Sequence, residues 1–471
     1  MRTLPPQESR RSFDEVALGY DEKEVLDESY RCIQCLNPLC IDGCPNHNPI
    51  PDFIALVQEG RFLEAALVDY TNNALPSCTG RVCAWETQCE GWCVLNARGE
   101  GVRIGAIERF IADYALRHRE EFEALRAERQ RRQAEEAEAA SGRRRVAVVG
   151  AGPAGLSAAH FLVREGVEVT VFEAQAQAGG LLADGIPQFV LPMGTVEEEV
   201  ARLREEGVEF RFGVRVGRDV SLEELAGEYD AVFLGVGAQQ ARGLGVPGED
   251  LAGVWSAQEF LHRAKLALQP GSGVEAPRVG RRVLVVGAGN TAMDAARTAL
   301  RLGAEEVRVV YRRTQAESPS RPVEIQHAQE EGVEFDYLVN PVAFLGDEDA
   351  RVRAARLVRM RLGQPDRSGR PRPEPVPGSE FELECETVVL AVGYEVDAAL
   401  LGEPRLVGKN GRIAVLDASG RTPVEGIFAG GDAVLGPATV VEAVRDGRLA
   451  ARAIAEWLKD PEHSLRKALR T

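Results

Sequence analysis

The chain has 471 residues, 73 acidic against 56 basic, and a formal net charge of −17 at pH 7. That length has room for about three domains of ordinary size. The acidic balance excludes nucleic acid and anionic membranes as principal partners, since both repel negative charge. No stretch approaches the ~18 apolar residues of a membrane span, and the opening MRTLPPQESRRS carries no apolar signal region. The expected location is the cytoplasm.

Residues 1–30 are polar and are expected to wrap another surface. Eight of the nine cysteines then fall between Cys32 and Cys93. In a reducing compartment such crowding reads as metal ligation, not disulfides. The first group is Cys32-x2-Cys35-x4-Cys40-x3-Cys44-Pro45, and the second is Cys78-x4-Cys83-x5-Cys89-x3-Cys93. Thiolates so closely spaced can converge on one centre from a loop. C-x2-C…C-x3-C-P resembles the ferredoxin-type run, whose last cysteine reaches across to a second cluster. Zinc is the rival reading, because C-x2-C pairs also build zinc sites, though more often as two clean knuckles. Nucleotide signatures further along favour iron–sulfur. Stretch 51–69 is helical between the ligand loops, and His47 reads as structural. Residues 108–140 are helical in pattern and then almost wholly charged, a solvated helix ended by Ser141-Gly142.

Residues 145–173 read RVAVVGAGPAGLSAAHFLVREGVEVTVFE. The apolar run 146–149 fits a buried parallel strand. Gly150-Ala151-Gly152-Pro153-Ala154-Gly155 is a G-x-G-x-x-G turn, an apolar helix follows, and a second strand ends at Glu173. The first glycine permits the turn, the second lets backbone N–H groups approach a pyrophosphate, and the third lets helix and strand pack closely. The helix N-terminus favours the phosphate charge. Glu173, about twenty residues on, can accept hydrogen bonds from a ribose.

A second strand–turn–helix opens at Arg282, with Gly287-Ala288-Gly289-Asn290-Thr291-Ala292 as its turn. Its second strand ends at Arg312-Arg313, where the first unit carries an acid. Guanidinium groups there bind a 2′-phosphate that a carboxylate would repel, so this site should prefer NADPH to NADH. The bland reading is surface arginines on a strand end. Residues 361–380 form a Pro- and Gly-rich loop between strands. Lone Cys385 reads as inert and buried. Residues 387–397 fit a buried strand and turn, and 426–457 a strand, a glycine loop with Asp432 and an amphipathic helix.

With these residues placed, the chain resembles the small (beta) subunit of NADPH-dependent glutamate synthase and its relatives. The relatives include the large subunit of NADH-dependent ferredoxin:NADP oxidoreductase and the N-terminal half of dihydropyrimidine dehydrogenase. The likeness runs from about residue 11 to 457 through CIQCLNPLCIDGCP, GRVCAWETQCEGWC, GGLLADGIPQFVLP, VLVVGAGNTAMDAAR, VVYRR and IFAGGDA. It implies an α/β fold of two Rossmann-like nucleotide domains preceded by an α-helical iron–sulfur domain. The helical domain and its charged linker would take 1–140. The FAD domain would take 141–257 and 385–471, with the NADPH domain, 258–384, inserted.

The resemblance further implies FAD at Gly150–Gly155, Glu173, Gly180 and Leu181, with Gly431, Asp432, Ala438 and Thr439 as its C-terminal motif. NADPH would meet Gly287–Ala292, Arg312, Arg313 and Arg321, with Ala391–Gly393 nearby. Two 4Fe–4S clusters with crossed ligation are implied. One would use Cys32, Cys35, Cys40 and Cys93; the other Cys44, Cys83 and Cys89, with Glu108 as its non-thiolate ligand. Cys78 would be spare, although spacing alone makes it a candidate. Val190 departs from the family's usual Lys or Arg, and the x5 gap after Cys83 looks more like the oxidoreductase and dihydropyrimidine dehydrogenase branches. Electrons would pass from NADPH through FAD to the clusters and on to a large synthase subunit or a ferredoxin-type subunit. A regulatory flavoprotein that transfers nothing is the reading from another class.

Overall fold

A computed structural model describes residues 2–136, 144–269, 271–365, 369–460, 463 and 465–470. Ser141-Gly142 and the end of the charged run lie outside the described residues. The N-terminal unit is helical: Glu22–Ser29, Ile50–Gln58, Phe62–Asp69, Pro76–Val82 and Ile104–Arg117 enclose a core around Phe53, Ile54, Phe62, Ile107 and Ile111. Asp21 and Glu24 close a capping box on the first of these, and Pro51 and Pro76 occupy first-turn positions where a missing N–H costs nothing. The charged helix Arg119–Glu136 is anchored at its start, where Phe122 is buried beside Tyr70 and Arg126 pairs with Glu206.

The first sheet is five-stranded and parallel: Ile427–Ala429, Ala231–Leu234, Arg145–Val149, Glu168–Glu173 and Glu209–Phe212. Its central strands are almost wholly apolar because helices cover both faces. Helix Pro153–Arg164 packs along Val440–Trp457 on one of them. The second sheet is also five-stranded and parallel: Glu334–Tyr337, Glu306–Tyr311, Arg282–Val286, Thr387–Leu390 and Val254–Ser256. Here the structure corrects the expected boundaries at 257 and 385. Val254–Ser256 and Thr387–Leu390 belong to the second sheet, where Val388 and Val389 are buried between two covered faces. Residues 361–380 are corrected too. They are mostly a hairpin, Val352–Pro365 with Pro371–Pro375. Pro371, Pro373 and Pro375 alternate, so their missing N–H groups share one edge of the strand. The other edge keeps its donors: Val376 N donates to Arg359 O at 2.8 Å. Among the described residues no helix is long and apolar enough to cross a membrane.

The N-terminal segment ties three bodies together. Ser9 Oγ donates to Glu331 Oε1 at 3.1 Å, Arg301 Nε donates to Ser12 O at 2.8 Å, and Val16 N donates to Phe189 O at 2.9 Å. Glu15 pairs with Arg81 and Arg109 of the helical unit. Arg297 and Arg301, on the second nucleotide helix Asn290–Arg301, also flank the Phe189 ring at 4.8 and 3.8 Å. Burial pushes the Glu331 carboxyl up, but hydrogen bonds from Arg301 and Arg297 outweigh it and bring it down to about 2. Such a group stabilises fully above its ordinary value of 4.5 and loses that contribution as pH falls towards the folded value. Acid between these limits should therefore free the N-terminal segment. Glu331→Gln should free it at neutral pH, with faster proteolysis within residues 2–19. Equal cleavage of variant and parent at pH 7 would show that the tie is held elsewhere.

Candidate nucleotide and cluster sites

The first turn opens onto a cavity of about 750 Å³, the size of a cofactor site. Gly150, Gly152, Pro153, Ala154, Glu173, Gly180, Leu181, Asp432, Ala438 and Thr439 all line it. Ala151, Gly155 and Gly431 support it from behind. Ala151 N donates to Glu173 Oε2 and Gln175 N to Glu173 Oε1, both at 2.8 Å, fixing the carboxylate at the strand end. Burial raises its pKa against those donors. Gly431 N donates to Asp446 Oδ2 at 3.0 Å. Burial lifts Asp432 to about 6, and Ala438 N donates to its Oδ1 at 3.1 Å. Thr439 caps the helix Val440–Trp457 in a capping box with Glu442. Residues 214–218, 236–240, 396–397 and 400–401 complete the walls. Sequence reasoning missed these loops. Their signal was positional, since two of them follow the C-terminal ends of parallel strands, where α/β sheets bind ligands.

At the second turn Gly287 has φ +123°, and a Cβ there would lie 2.3 Å from Ala391 O. This close approach explains Ala391 beside the turn, with Gly393 following at φ +105°. Asn290 Oδ1 accepts from Ser320 Oγ and Arg321 N, each at 2.9 Å, and Ser318 Oγ donates to Ala288 O at 2.6 Å. Thr291 and Ala292 begin the helix beyond Gly289. Of the three arginines, only Arg312 is exposed. Arg313 is buried, and its Nε donates to Pro371 O at 2.9 Å. Arg321 corrects the expectation. Its backbone faces Asn290, but its guanidinium turns to the Glu86 carboxylate, at 2.9 and 3.2 Å, and lies over Trp85 at 4.2 Å. A buried cation so paired has its charge already met.

The cysteines sort into two sets. Cys32, Cys35, Cys40 and Cys93 line one small cavity with Ile33, Leu39 and Val94. Burial, then Cys32 and Cys93, push the Cys40 thiol up to about 12. Cys44, Cys83 and Cys89 are buried and act on one another and on Glu108. Burial lifts Cys83 and Cys89 well above the ordinary thiol range, with Glu108 and Cys44 adding to it. Glu108 Oε1 accepts from Thr79 Oγ1 at 2.5 Å and Asn73 Nδ2 at 2.8 Å, while burial pushes its carboxyl up. Cys78 lies elsewhere, in the core beneath the first sheet with Leu75 and Ala154. Cys385 is buried in the core of the second sheet, and His47, at φ +50°, serves a turn after Cys44. Half-buried Val190 donates its N–H to Pro187 O. Arg448 was missed by sequence reasoning. From the helix that begins at the cavity, its Nε and Nη2 donate to Asn46 Oδ1 and O at 3.1 and 2.9 Å, two residues beyond Cys44.

Two dinucleotide folds preceded in the chain by a thiolate-rich helical unit define an electron-transferring oxidoreductase. Comparison agrees. Residues 144–447 match the pyridine nucleotide-disulphide oxidoreductase family, and residues 9–120 match dihydropyrimidine dehydrogenase domain II, 4Fe-4S cluster. The glutamate synthase [NADPH] small chain of Halomonas elongata is 40% identical over 96% of this chain and 95% of its own. The chain belongs to that small-chain family. A further relative, the NADP(+)-dependent formate dehydrogenase subunit beta of Moorella thermoacetica, is 41% identical over 89% of this chain and 60% of its own. The solved structure of Mycobacterium tuberculosis FprA in complex with NADPH shares the fold, with a TM-score of 0.57 and 23% identity over 67% of this chain and 84% of that one.

Proposed function

We propose that this chain is the NADPH-oxidising FAD and iron–sulfur subunit of a glutamate synthase-type complex in the cytoplasm. The observation that carries the proposal is the division of the cysteines into two sets in a chain that also carries two nucleotide turns. The 750 Å³ cavity suits FAD, and the backbone beside Gly152 is open, so nothing obstructs a pyrophosphate there. Two thiolate-rich donor sets suit two 4Fe–4S clusters, one on Cys32, Cys35, Cys40 and Cys93, the other on Cys44, Cys83, Cys89 and Glu108.

When bound, FAD converts the two electrons of a hydride into single electrons that the clusters can carry. The residues supply position and electrostatics. Glu173 takes the ribose end and the helix starting at Pro153 the phosphate charge. Arg312 takes the 2′-phosphate. Arg448 fixes the loop after Cys44 against the flavin-side helix. Tyr30, Ile33, Leu36 and Trp92 are exposed around the first cysteine set. An apolar rim around an electron exit suits a partner subunit that receives electrons there.

Anaerobic NADPH should bleach the flavin and then reduce the iron centres, and a large synthase subunit should co-purify. A holoprotein whose flavin is untouched by NADPH would leave only the regulatory reading. Co-purification of a small flavin or ferredoxin-type subunit instead would replace the glutamate synthase partner with the ferredoxin-linked one.

A further inference from the structure

We infer that Arg370, carried on the Pro-rich hairpin, is a specificity-determining residue that works with Arg312 on the 2′-phosphate of the nicotinamide cofactor. The inference rests on the NADPH reading of the second turn. It extends that reading to a segment far along the chain that no nucleotide motif marks.

The argument begins with which charges are free. Arg321 is neutralised by Glu86, and buried Arg313 holds the hairpin through Pro371 O. That leaves Arg312 as the one cation of the three still facing solvent. Arg370 supplies another. Its Nη2 donates to Tyr311 Oη at 2.9 Å and to Glu317 O at 2.5 Å. Both acceptors are uncharged. Among the described residues neither Arg312 nor Arg370 has a carboxylate partner. A half-buried guanidinium held only by neutral acceptors leaves its charge available to an anion.

The anchoring places Arg370 where cofactor choice is made. Tyr311 is the last residue of the strand that leads into Arg312. Tyr311 Oη in turn donates to Glu317 O at 3.0 Å, and the next residue, Ser318, donates to Ala288 O inside the glycine turn. A short series of hydrogen bonds thus runs from the phosphate turn to Arg370. Arg313 and Pro371 fasten the same hairpin to the same strand end. The hairpin brings its arginine in already oriented, so little side-chain freedom is lost on binding.

The test uses the holoprotein and three probes: NADP⁺, NAD⁺ and adenosine 2′-monophosphate, with affinities from calorimetry. Arg370→Ala should weaken NADP⁺ and adenosine 2′-monophosphate by about tenfold or more, the scale of one charge-assisted contact, and leave NAD⁺ unchanged. Arg370→Lys should recover part of the loss. Equal weakening of NADP⁺ and NAD⁺ would overturn the inference, because Arg370 would then only brace Tyr311. Selective loss in Arg312→Ala with none in Arg370→Ala would overturn it while the NADPH reading stands. A parent protein that binds NAD⁺ as tightly as NADP⁺ and ignores adenosine 2′-monophosphate would overturn both.

Discussion

Gly155→Ala is expected to yield protein without FAD and with a lowered melting temperature, whereas Gly152→Ala should lose FAD while melting as the parent does. Both are glycines of one turn, but their surroundings differ. A Cβ on Gly155 would lie 1.9 Å from Gly150 O and 3.1 Å from its carbonyl carbon. These are backbone atoms and cannot rotate away. Gly150 cannot retreat either, since it sits at φ +96° with its own Cβ position 2.5 Å from Gly235 O. The helix must therefore lift off the strand, at a cost of about 3 kcal/mol or more, the upper end of overpacking penalties. Gly152 meets nothing within 4 Å and lines the cavity. A methyl group there meets only the bound pyrophosphate. Flavin absorbance per chain and thermal melting of the two variants separate the cases. Full flavin content and an unchanged melt in Gly155→Ala would show that the turn is not packed as described.

The two turns were legible in the sequence because their chemistry is local. A strand, three small residues at fixed spacing and a helix start all fall within a few residues, and each enforces the next. The cysteine pattern was legible as metal ligation for the same reason. Its sorting into two sets came only through the family resemblance, because Cys93 joins Cys32 across a fold that spacing does not specify. Arg321 shows the limit clearly. Its position near a nucleotide turn suggested a phosphate ligand, but its partner Glu86 lies 235 residues away. Thr387–Leu390 failed in a related way. An apolar run buried on both faces fits either parallel sheet, and only its pairing with Arg282–Val286 decides between them. The hairpin at 361–380 was hidden by its prolines, which read as a loop until their alternation places them on one edge of a strand.

Cys83→Ser is expected to remove about half of the iron, one cluster of two, while Cys78→Ser removes none. The two cysteines are separated by only one turn of chain, yet Cys78 points into the core beneath the first sheet and Cys83 faces Cys44, Cys89 and Glu108. Glu108 decides the rest. Asn73 and Thr79 hold its Oε1, and among the described residues no protein donor reaches Oε2. A carboxylate with one oxygen held by two donors is oriented to present its other oxygen to a metal centre. Carboxylate is a harder donor than thiolate and should favour the oxidised cluster. Glu108→Ala should therefore leave FAD and the Cys32, Cys35, Cys40, Cys93 cluster intact, while the other cluster becomes labile or shifts its potential. Glu108→Asp, which keeps the carboxylate but shortens its reach, should fall between. Iron content and low-temperature EPR of the purified variants read all of these. If Cys78→Ser loses half of the iron and Glu108→Ala loses none, the remaining ligand is Cys78, and the carboxylate serves the fold instead.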